Sequence, residues 1–343
     1  MKGSQSVKQQ PKAEFNKSLE NIIEVKDLSV GYHGEDGFVT IIEGLNLNIR
    51  RNIIFGIAGE SGSGKSTLAA AIFRNVKYPG EISGGGVLFD GVEISSLKRG
   101  ELRRMRGGRF SYIPQAAMNS LNPVKRIGDQ FQDILVAHDL DPESNADKVR
   151  ESISMVRLDE NVLNMFPHEL SGGMRQRVVI SMALLLKPEA VILDEPTTGL
   201  DVLVEHEMLR DLKTIQQNLN LTMIFITHDL SILFQMADEI AIMYGGELVE
   251  QGPYNELLRS SANPYTYLLL ESMPRIGSSR KGLAKMKGGQ NDFTAQVKGC
   301  KFSPRCPYSM PDCRERHPDL RRANTANHYY RCHRYPEWKP TNA

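Results

Sequence analysis

The phosphate-binding pattern G-x-x-x-x-G-K-[ST] is met by Gly59-Glu60-Ser61-Gly62-Ser63-Gly64-Lys65-Ser66-Thr67. The apolar run Ile53 to Ala58 predicts a buried parallel strand before this loop, and the run Leu68 to Phe73 predicts a helix after it. Loop N–H groups and the helix N-terminus would then surround a phosphate, with Lys65 at the β- and γ-phosphates and Ser66 on Mg²⁺. The candidate nucleotide-binding residues of the loop are Gly59, Ser61, Gly62, Ser63, Gly64, Lys65, Ser66 and Thr67.

The composition is that of an ordinary globular protein. The 343 residues predict one large α/β domain with an appendage. Lys and Arg number 42 against 41 Asp and Glu, a balance that gives no electrostatic support for nucleic-acid binding. No apolar run is long enough for a membrane span, and the polar N-terminus lacks the apolar core of a signal peptide. We therefore expect a cytoplasmic protein whose connection to a membrane comes through a partner.

The segment before the phosphate loop predicts a tail followed by antiparallel strands. Residues 1–20 are polar and lack periodicity, which predicts a mobile tail. Strand-like runs follow at Ile22 to Val30 and at Phe38 to Ile42. Tyr32 lies ahead of the phosphate loop, so its ring could stack on an adenine, or it could pack on the core as an ordinary strand tyrosine.

The segment after the phosphate helix alternates glycines, short strands and a helical stretch. The glycine-rich run Gly80 to Gly86 predicts a turn, and Phe110 to Ile113 predicts a strand. Gln115 follows this strand, where its side-chain carbonyl could reach Mg²⁺ or a water molecule, although most glutamines are solvated surface residues. Apolar residues at helical spacing, such as Ile127 and Phe131, predict a helical insert.

A second anion-binding helix end is predicted at Ser171, Gly172 and Gly173. A serine followed by two glycines at a helix start exposes backbone N–H groups and a hydroxyl. One nucleotide cannot easily occupy this helix end and the phosphate loop in the same subunit.

Acidic residues follow a predicted parallel strand at Ala190 to Leu193. The carboxyl edge of a parallel sheet is where ligands bind in open α/β folds. Asp194 suits a Mg²⁺ shell, directly or through water, and Glu195 suits a base that polarises the attacking water. His228, after a further strand that ends at Ile226, could contact the γ-phosphate.

Taken together in this order, the motifs resemble the nucleotide-binding subunits of ABC transporters, over residues from about 22 to 275. The resemblance implies a P-loop α/β fold with a mostly parallel sheet core, an antiparallel β subdomain and a helical subdomain. It places the ATPase domain at 21–275, with the helical insert at about 116–186. It also adds Asp201 to the nucleotide site and implies that two such domains clamp two ATP molecules. Ser171 and Gly173 would then touch ATP held on Gly64 and Lys65 of the second subunit.

More narrowly, the run Met118 to Pro123, Met174 and the cysteine-bearing C-terminal segment resemble the ATPases of oligopeptide and dipeptide importers. Nickel and oligosaccharide importers share these features, and a soluble non-transport ABC ATPase is a further alternative. Ala116-Ala117 departs from the acidic residue and proline usual in the subfamily. The resemblance implies two transmembrane permease subunits, a distinct second ATPase and an extracellular solute-binding protein. The chain would lie peripherally on the cytoplasmic face of the membrane.

All four cysteines fall near the C-terminus, and residues 276–343 are predicted as a linker and a small Cys-rich module. A reducing cytoplasm disfavours disulfides, and four thiolates suggest zinc or an iron–sulfur cluster. Zinc ligands usually come in pairs two to four residues apart, which these cysteines do not match. The family resemblance favours a [4Fe–4S] cluster, with Zn²⁺ as the alternative. The proposed ligands are Cys300, Cys306, Cys313 and Cys332.

Overall fold

The structure is a computed structural model that describes residues 21–35, 37–273, 297–323, 325 and 327–338. The predicted N-terminal tail (1–20) and the predicted linker (275–292) lie outside these residues.

Twelve strands and ten α-helices follow one another along the described residues. The strands are β1 (Asn21–Gly34), β2 (Gly37–Arg50), β3 (Ile54–Ala58), β4 (Gly80–Phe89), β5 (Val92–Glu93), β6 (Phe110–Ile113), β7 (Ala190–Asp194), β8 (Thr222–Ile226), β9 (Glu239–Tyr244), β10 (Glu247–Pro253), β11 (Arg321–Arg322) and β12 (Tyr329–Tyr330). The helices are α1 (Lys65–Ile72), α2 (Arg99–Met105), α3 (Ile127–Ala137), α4 (Ala146–Met155), α5 (Gly172–Leu184), α6 (Val202–Leu219), α7 (Leu230–Met236), α8 (Tyr254–Ser260), α9 (Pro264–Glu271) and α10 (Pro311–Glu315).

The main sheet has the strand order β11-β12-β10-β9-β3-β8-β7-β6. Its five strands from β9 to β6 pair in parallel, and every residue of β3, β7 and β8 is buried. A parallel sheet covered on both faces requires such unbroken apolar strands, which explains why the sequence shows them as apolar runs. The carboxyl ends of these strands meet at one edge of the sheet, where the phosphate loop follows β3 and the acidic residues end β7.

A second, antiparallel sheet has the order β2-β1-β4-β5. The predicted turn from Gly80 to Gly86 is wrong, because these residues form the first part of β4 and pair with β1. The glycines lie opposite β1, whose pairing with β4 has a bulge between Lys26 and Ser29. Gly85 has φ of +69°, and a Cβ on it would lie 2.2 Å from the backbone oxygen of Asp27. Only glycine fits that close approach.

The stretch between β6 and β7 is mainly helical and contains α3, α4 and α5 together with short 3₁₀ turns. On α3, Ile127, Phe131 and Leu135 are buried at intervals of four residues, as their spacing predicts for a helix packed on one face.

The C-terminal segment packs onto the main sheet. Strand β12 pairs with β10 through Tyr330 opposite Glu250 and Tyr329 opposite Gln251. The buried His328 ring lies 2.7 Å from the Glu250 carboxylate, and the Trp338 indole N–H donates to the backbone oxygen of Ala262. Among the described residues, no helix is both long and apolar enough to cross a membrane.

Candidate nucleotide-binding and catalytic site

The phosphate loop joins β3 to α1 through backbone conformations that favour glycine. Gly59, Gly62 and Gly64 have φ values of +152°, +76° and +95°. A Cβ on Gly59 would lie 2.2 Å from the backbone oxygen of Met243 at the end of β9. This close approach presses the loop against the sheet edge, and Gly246 N–H also donates to the backbone oxygen of Ser63. These contacts fix the shape of the loop.

Lys65, the first residue of α1, is buried and points back into the loop. Its ammonium donates to the backbone oxygens of Gly59 (2.8 Å) and Glu60 (2.9 Å) and lies 3.4 Å from the Ser63 hydroxyl. Burial lowers the pKa of Lys65, and the surrounding carboxylates oppose this shift. A phosphate bound in the loop would pair this ammonium with a full negative charge, a stronger partner than the carbonyl dipoles.

Asp194 ends β7 beside the start of α1. The Ser66 hydroxyl donates to its Oδ1 at 3.2 Å, and the Tyr112 hydroxyl donates to its Oδ2 at 3.3 Å. Burial raises the pKa of the Asp194 carboxyl, and Ser66 opposes the rise because its hydrogen bond favours the charged form. Burial, together with Asp194, likewise raises the pKa of Tyr112. Two adjacent oxygen donors at this edge, Ser66 and Asp194, suit a hard cation such as Mg²⁺.

Glu195 connects three of the loops that the sequence singled out. Its Oε2 accepts from the Gln115 amide (3.0 Å) and from the Thr198 hydroxyl (3.1 Å), while its Oε1 lies 3.0 Å from His228 Nδ1. The residue has φ of +49°, an uncommon value for a non-glycine residue. Its backbone N–H donates to the oxygen of Ile226 at the end of β8, which fixes the turn after β7. The side chains predicted to be catalytic, Glu195, His228 and Gln115, thus form one cluster.

The turn before α5 has the predicted helix-cap geometry. The Ser171 hydroxyl accepts from Met174 N–H, and the Ser171 backbone oxygen accepts from Arg175 N–H, so both bonds stay within α5. Gly172 has open space where a side chain would be, and a Cβ on Gly173 would lie 2.8 Å from Val204 of α6. These bonds do not connect the Ser171 turn to the phosphate loop within the described chain.

Two other predicted nucleotide-site residues lie at the start of a helix and within a strand. Asp201 caps α6, and its Oδ1 accepts from the N–H groups of Leu203 (3.1 Å) and Val204 (3.0 Å). Tyr32 lies half-buried in β1 opposite Val39, with Cε1 of its ring 2.7 Å from the position that a Cβ on Gly80 would take. Stacking of Tyr32 on an adenine stays a prediction.

The cysteines Cys300, Cys306, Cys313 and Cys332 are free thiols that line one narrow cavity. Burial raises the pKa of the Cys300 thiol to about 12, and the other three sulfurs lie near enough to add to the rise. Burial also raises the pKa of the Cys306 and Cys332 thiols, and nearby backbone groups partly oppose the rise at all three cysteines. Across the described residues, no group of three or more His, Cys, Asp or Glu side chains has an arrangement that could hold a metal ion.

Sequence reasoning missed the residues that hold the outside of the phosphate loop. Arg305 pairs with both carboxylate oxygens of Glu60, at 2.7 and 2.9 Å, and Glu60 N–H donates to the Tyr265 hydroxyl at 3.0 Å. The sequence carries no signal for these contacts, because Arg305 lies 245 positions from Glu60.

Two curated proteins are similar to this chain over nearly its whole length. It is 37% identical over 322 residues to the dipeptide transport ATP-binding protein DppD of Caldanaerobacter subterraneus subsp. tengcongensis, covering 93% of this chain and 98% of that protein. It is also 39% identical over 302 residues to the oligopeptide transport ATP-binding protein OppD of Salmonella typhimurium, covering 87% of this chain and 89% of that protein. The chain belongs to the oligopeptide/dipeptide ATP-binding proteins of the ABC transporter family. The family prediction made from the motifs is therefore confirmed.

Family models and solved structures agree with this membership. The ABC transporter family model matches residues 42–198, and the model for the C-terminal region of oligopeptide/dipeptide transporters matches residues 249–313. Among solved structures, the dimeric bacterial ABC transporter cassette MJ0796 superposes with a TM-score of 0.61 at 26% identity, covering 68% of this chain and 98% of that one. The same cassette in a post-hydrolysis state bound to ADP and Pi gives a TM-score of 0.60. The predicted ABC ATPase fold is confirmed for the nucleotide-binding part of the chain.

Proposed function

We propose that this ABC transporter ATP-binding protein hydrolyses ATP with Mg²⁺ and thereby powers an importer of oligopeptides or dipeptides. The observation that carries the proposal is the cluster of Glu195 with Gln115 and His228, at the sheet edge that also carries the phosphate loop. The curated relatives that support the solute class are transport proteins for dipeptides and oligopeptides. They do not favour the nickel and oligosaccharide alternatives or a soluble ATPase without a transporter.

The phosphate loop would bind the β- and γ-phosphates of ATP. Residues from Gly59 to Thr67 supply backbone N–H groups, the start of α1 adds its partial positive charge, and Lys65 supplies an ammonium already aimed into the loop. Moving this ammonium from the backbone oxygens to the phosphates requires a small displacement of one flexible side chain. Tyr32 remains our candidate for stacking on the adenine.

Ser66, Asp194 and Gln115 would hold Mg²⁺, Ser66 directly and Asp194 directly or through water. Ser66 and Asp194 already share a hydrogen bond, and the Gln115 amide nitrogen is engaged by Glu195, which leaves its carbonyl oxygen to face a ligand. Bound Mg²⁺ would neutralise charge on the phosphate oxygens. All three side chains offer oxygen, the donor that this cation prefers.

Glu195 would accept a proton from the water that attacks the γ-phosphorus, because its carboxylate projects from the carboxyl edge of the sheet beside the phosphate loop. His228 contacts one oxygen of the Glu195 carboxylate, and Gln115 and Thr198 donate to the other. These contacts fix the orientation of the carboxylate. His228 would also contact the γ-phosphate. The partly exposed edge leaves room for a second protein to close the site.

A second ATPase subunit, a distinct homologue, would close that site. Ser171, Gly172, Gly173 and Asp201 of one subunit would contact ATP on the phosphate loop of the other. The exposure of Ser171 and the open space at Gly172 support this arrangement, because both leave room for a ligand at the start of α5. The structural relative MJ0796 is described as a dimer.

Two membrane permease subunits and an extracellular solute-binding protein would complete the transporter, with this chain peripheral on the cytoplasmic face.

The test of this function uses the complete complex in proteoliposomes. We expect phosphate release to require Mg²⁺ and to rise severalfold when the solute-binding protein carries a peptide, because closure of the paired ATPases is coupled to transport. Phosphate release measured with and without peptide checks this. Hydrolysis that is indifferent to both the binding protein and the peptide would contradict the proposed coupling.

We also propose a small Cys-rich module that holds a [4Fe–4S] cluster on Cys300, Cys306, Cys313 and Cys332. Support comes from the shared cavity, because all four cysteines line it although they are far apart in the sequence, and cysteine thiolates are the usual ligands of such clusters. In a four-iron cluster each cysteine binds a different iron atom. The four sulfurs of such a site are therefore farther apart than the four ligands of one zinc ion. The group would act structurally, joining a loop-rich segment with little core of its own.

Protein prepared without oxygen is expected to be brown and to contain iron and acid-labile sulfide in equal amounts, about four of each per chain. Cys313→Ser should lose most of this iron, whereas Ser303→Ala, in the same segment, should retain it. Iron and sulfide assays and the visible spectrum check this. Colourless protein with one zinc and no iron would show that the alternative ligand, Zn²⁺, is correct.

A further inference from the structure

Glu60 is the second residue of the phosphate loop, and it is held at three points. Its backbone N–H donates to the Tyr265 hydroxyl, its backbone oxygen accepts from Lys65, and its carboxylate forms a two-point pair with Arg305. The side chains of Arg305 and Glu60 are 13% and 23% exposed, so this pair is partly shielded from water. Such shielding makes the pair stronger than a surface ion pair.

Arg305 comes from outside the nucleotide-binding body. It precedes Cys306 in the C-terminal segment, and its guanidinium also donates to the Tyr244 hydroxyl at the end of β9. The Tyr244 ring packs edge to face against Tyr265 (4.6 Å between centroids) and Phe302 (5.1 Å). This aromatic group fixes Arg305 behind the phosphate loop.

The negative charge of Glu60 would oppose ATP binding if Arg305 did not neutralise it. Glu60 belongs to the phosphate loop and its backbone oxygen accepts from the Lys65 ammonium, so its side chain starts next to the place where ATP phosphates would enter. An unpaired carboxylate there would repel the polyphosphate and would attract the ammonium that must serve ATP. The bidentate guanidinium neutralises this carboxylate and holds it at two points.

We propose that Arg305 is a positioning residue for ATP binding, acting through Glu60 to keep the phosphate loop neutral on its outer side and open to phosphate. The C-terminal segment thereby contributes directly to nucleotide affinity. The proposal rests on ATP binding by the loop and is independent of which solute the transporter carries, so failure of peptide transport would leave it intact.

The test is the affinity of the purified full-length chain for ATP, measured by titration, together with KM and kcat of the complex. Arg305→Met is expected to weaken ATP binding and raise KM about tenfold, because it leaves a partly buried carboxylate beside the phosphates. The kcat should change less than about twofold, since the Glu195 cluster is untouched. Adding Glu60→Gln to Arg305→Met should restore most of the lost affinity, because the uncompensated charge is gone.

Arg331→Met is the matched control. Like Arg305, Arg331 immediately precedes a cysteine and anchors the C-terminal segment, donating to the backbone oxygens of Leu248 and Pro318. We expect it to lower the melting temperature and leave ATP affinity unchanged. An Arg305→Met protein with normal ATP affinity would overturn the proposal. So would a loss of affinity that Glu60→Gln does not repair, or that Arg331→Met reproduces, because the effect would then come from the stability of the segment.

Discussion

Glu195→Gln is expected to bind ATP as tightly as the parent protein and to hydrolyse it about 10³-fold more slowly. The amide keeps the shape of the carboxylate and can still meet His228 and Thr198, but it cannot accept the proton of the attacking water. ATP should therefore accumulate unhydrolysed between the two ATPases and stabilise their pairing. ATP titration, phosphate release and the mass of the complex check these three expectations.

The exposed Glu143, in the helical insert, provides the control for this variant. Glu143→Gln makes the same chemical change away from the sheet edge and should leave the rate within about twofold of the parent. If Glu195→Gln hydrolysed ATP at nearly the parental rate, the assignment of Glu195 as the base would be wrong.

Ser171→Arg is expected to reduce turnover of the complex by at least about tenfold, while ATP still binds to the phosphate loop of the altered chain. The exposed Ser171 hydroxyl caps α5, and a long cationic side chain there would collide with the ATP held by the partner. The defect should lie at the ATP held by the partner and not at the ATP on the altered chain's own phosphate loop. Titration of the altered chain with ATP should therefore give the parental affinity, whereas phosphate release by the assembled complex should fall.

Ser144→Arg is the matched control, because Ser144 is also an exposed serine just before a helix. It should leave turnover close to that of the parent. Full activity of a dilute isolated monomer, equal to that of the assembled complex, would rule out the shared site.

The phosphate loop and the ends of β3, β7 and β8 could be predicted because their signals are local. A glycine loop of fixed spacing and an unbroken apolar strand each require particular residues within a short stretch. The meeting of Gln115, Glu195 and His228 also follows from sequence, since parallel strands bring their carboxyl ends to one edge. Their hydrogen-bond partner Thr198 carried no such signal.

Features that depend on distant parts of the chain could not be predicted. The glycines from Gly80 to Gly86 look like a turn, but they form a strand because the bulge in β1 approaches them closely. Strand β12 has only two residues, too few for any periodicity, and it exists because β10 offers it an edge. The pair of Arg305 with Glu60 is likewise a product of tertiary packing.

Uptake of a labelled peptide by proteoliposomes that contain the complete transporter is the decisive measurement for the proposed function. ATP and the solute-binding protein are supplied on their proper sides of the membrane, and nickel and an oligosaccharide are offered in parallel. We expect peptide uptake with ATP, and none with a non-hydrolysable analogue or with Glu195→Gln in this chain. Peptide uptake that continues with the analogue, or ATP-driven uptake of nickel or oligosaccharide without peptide, would contradict it.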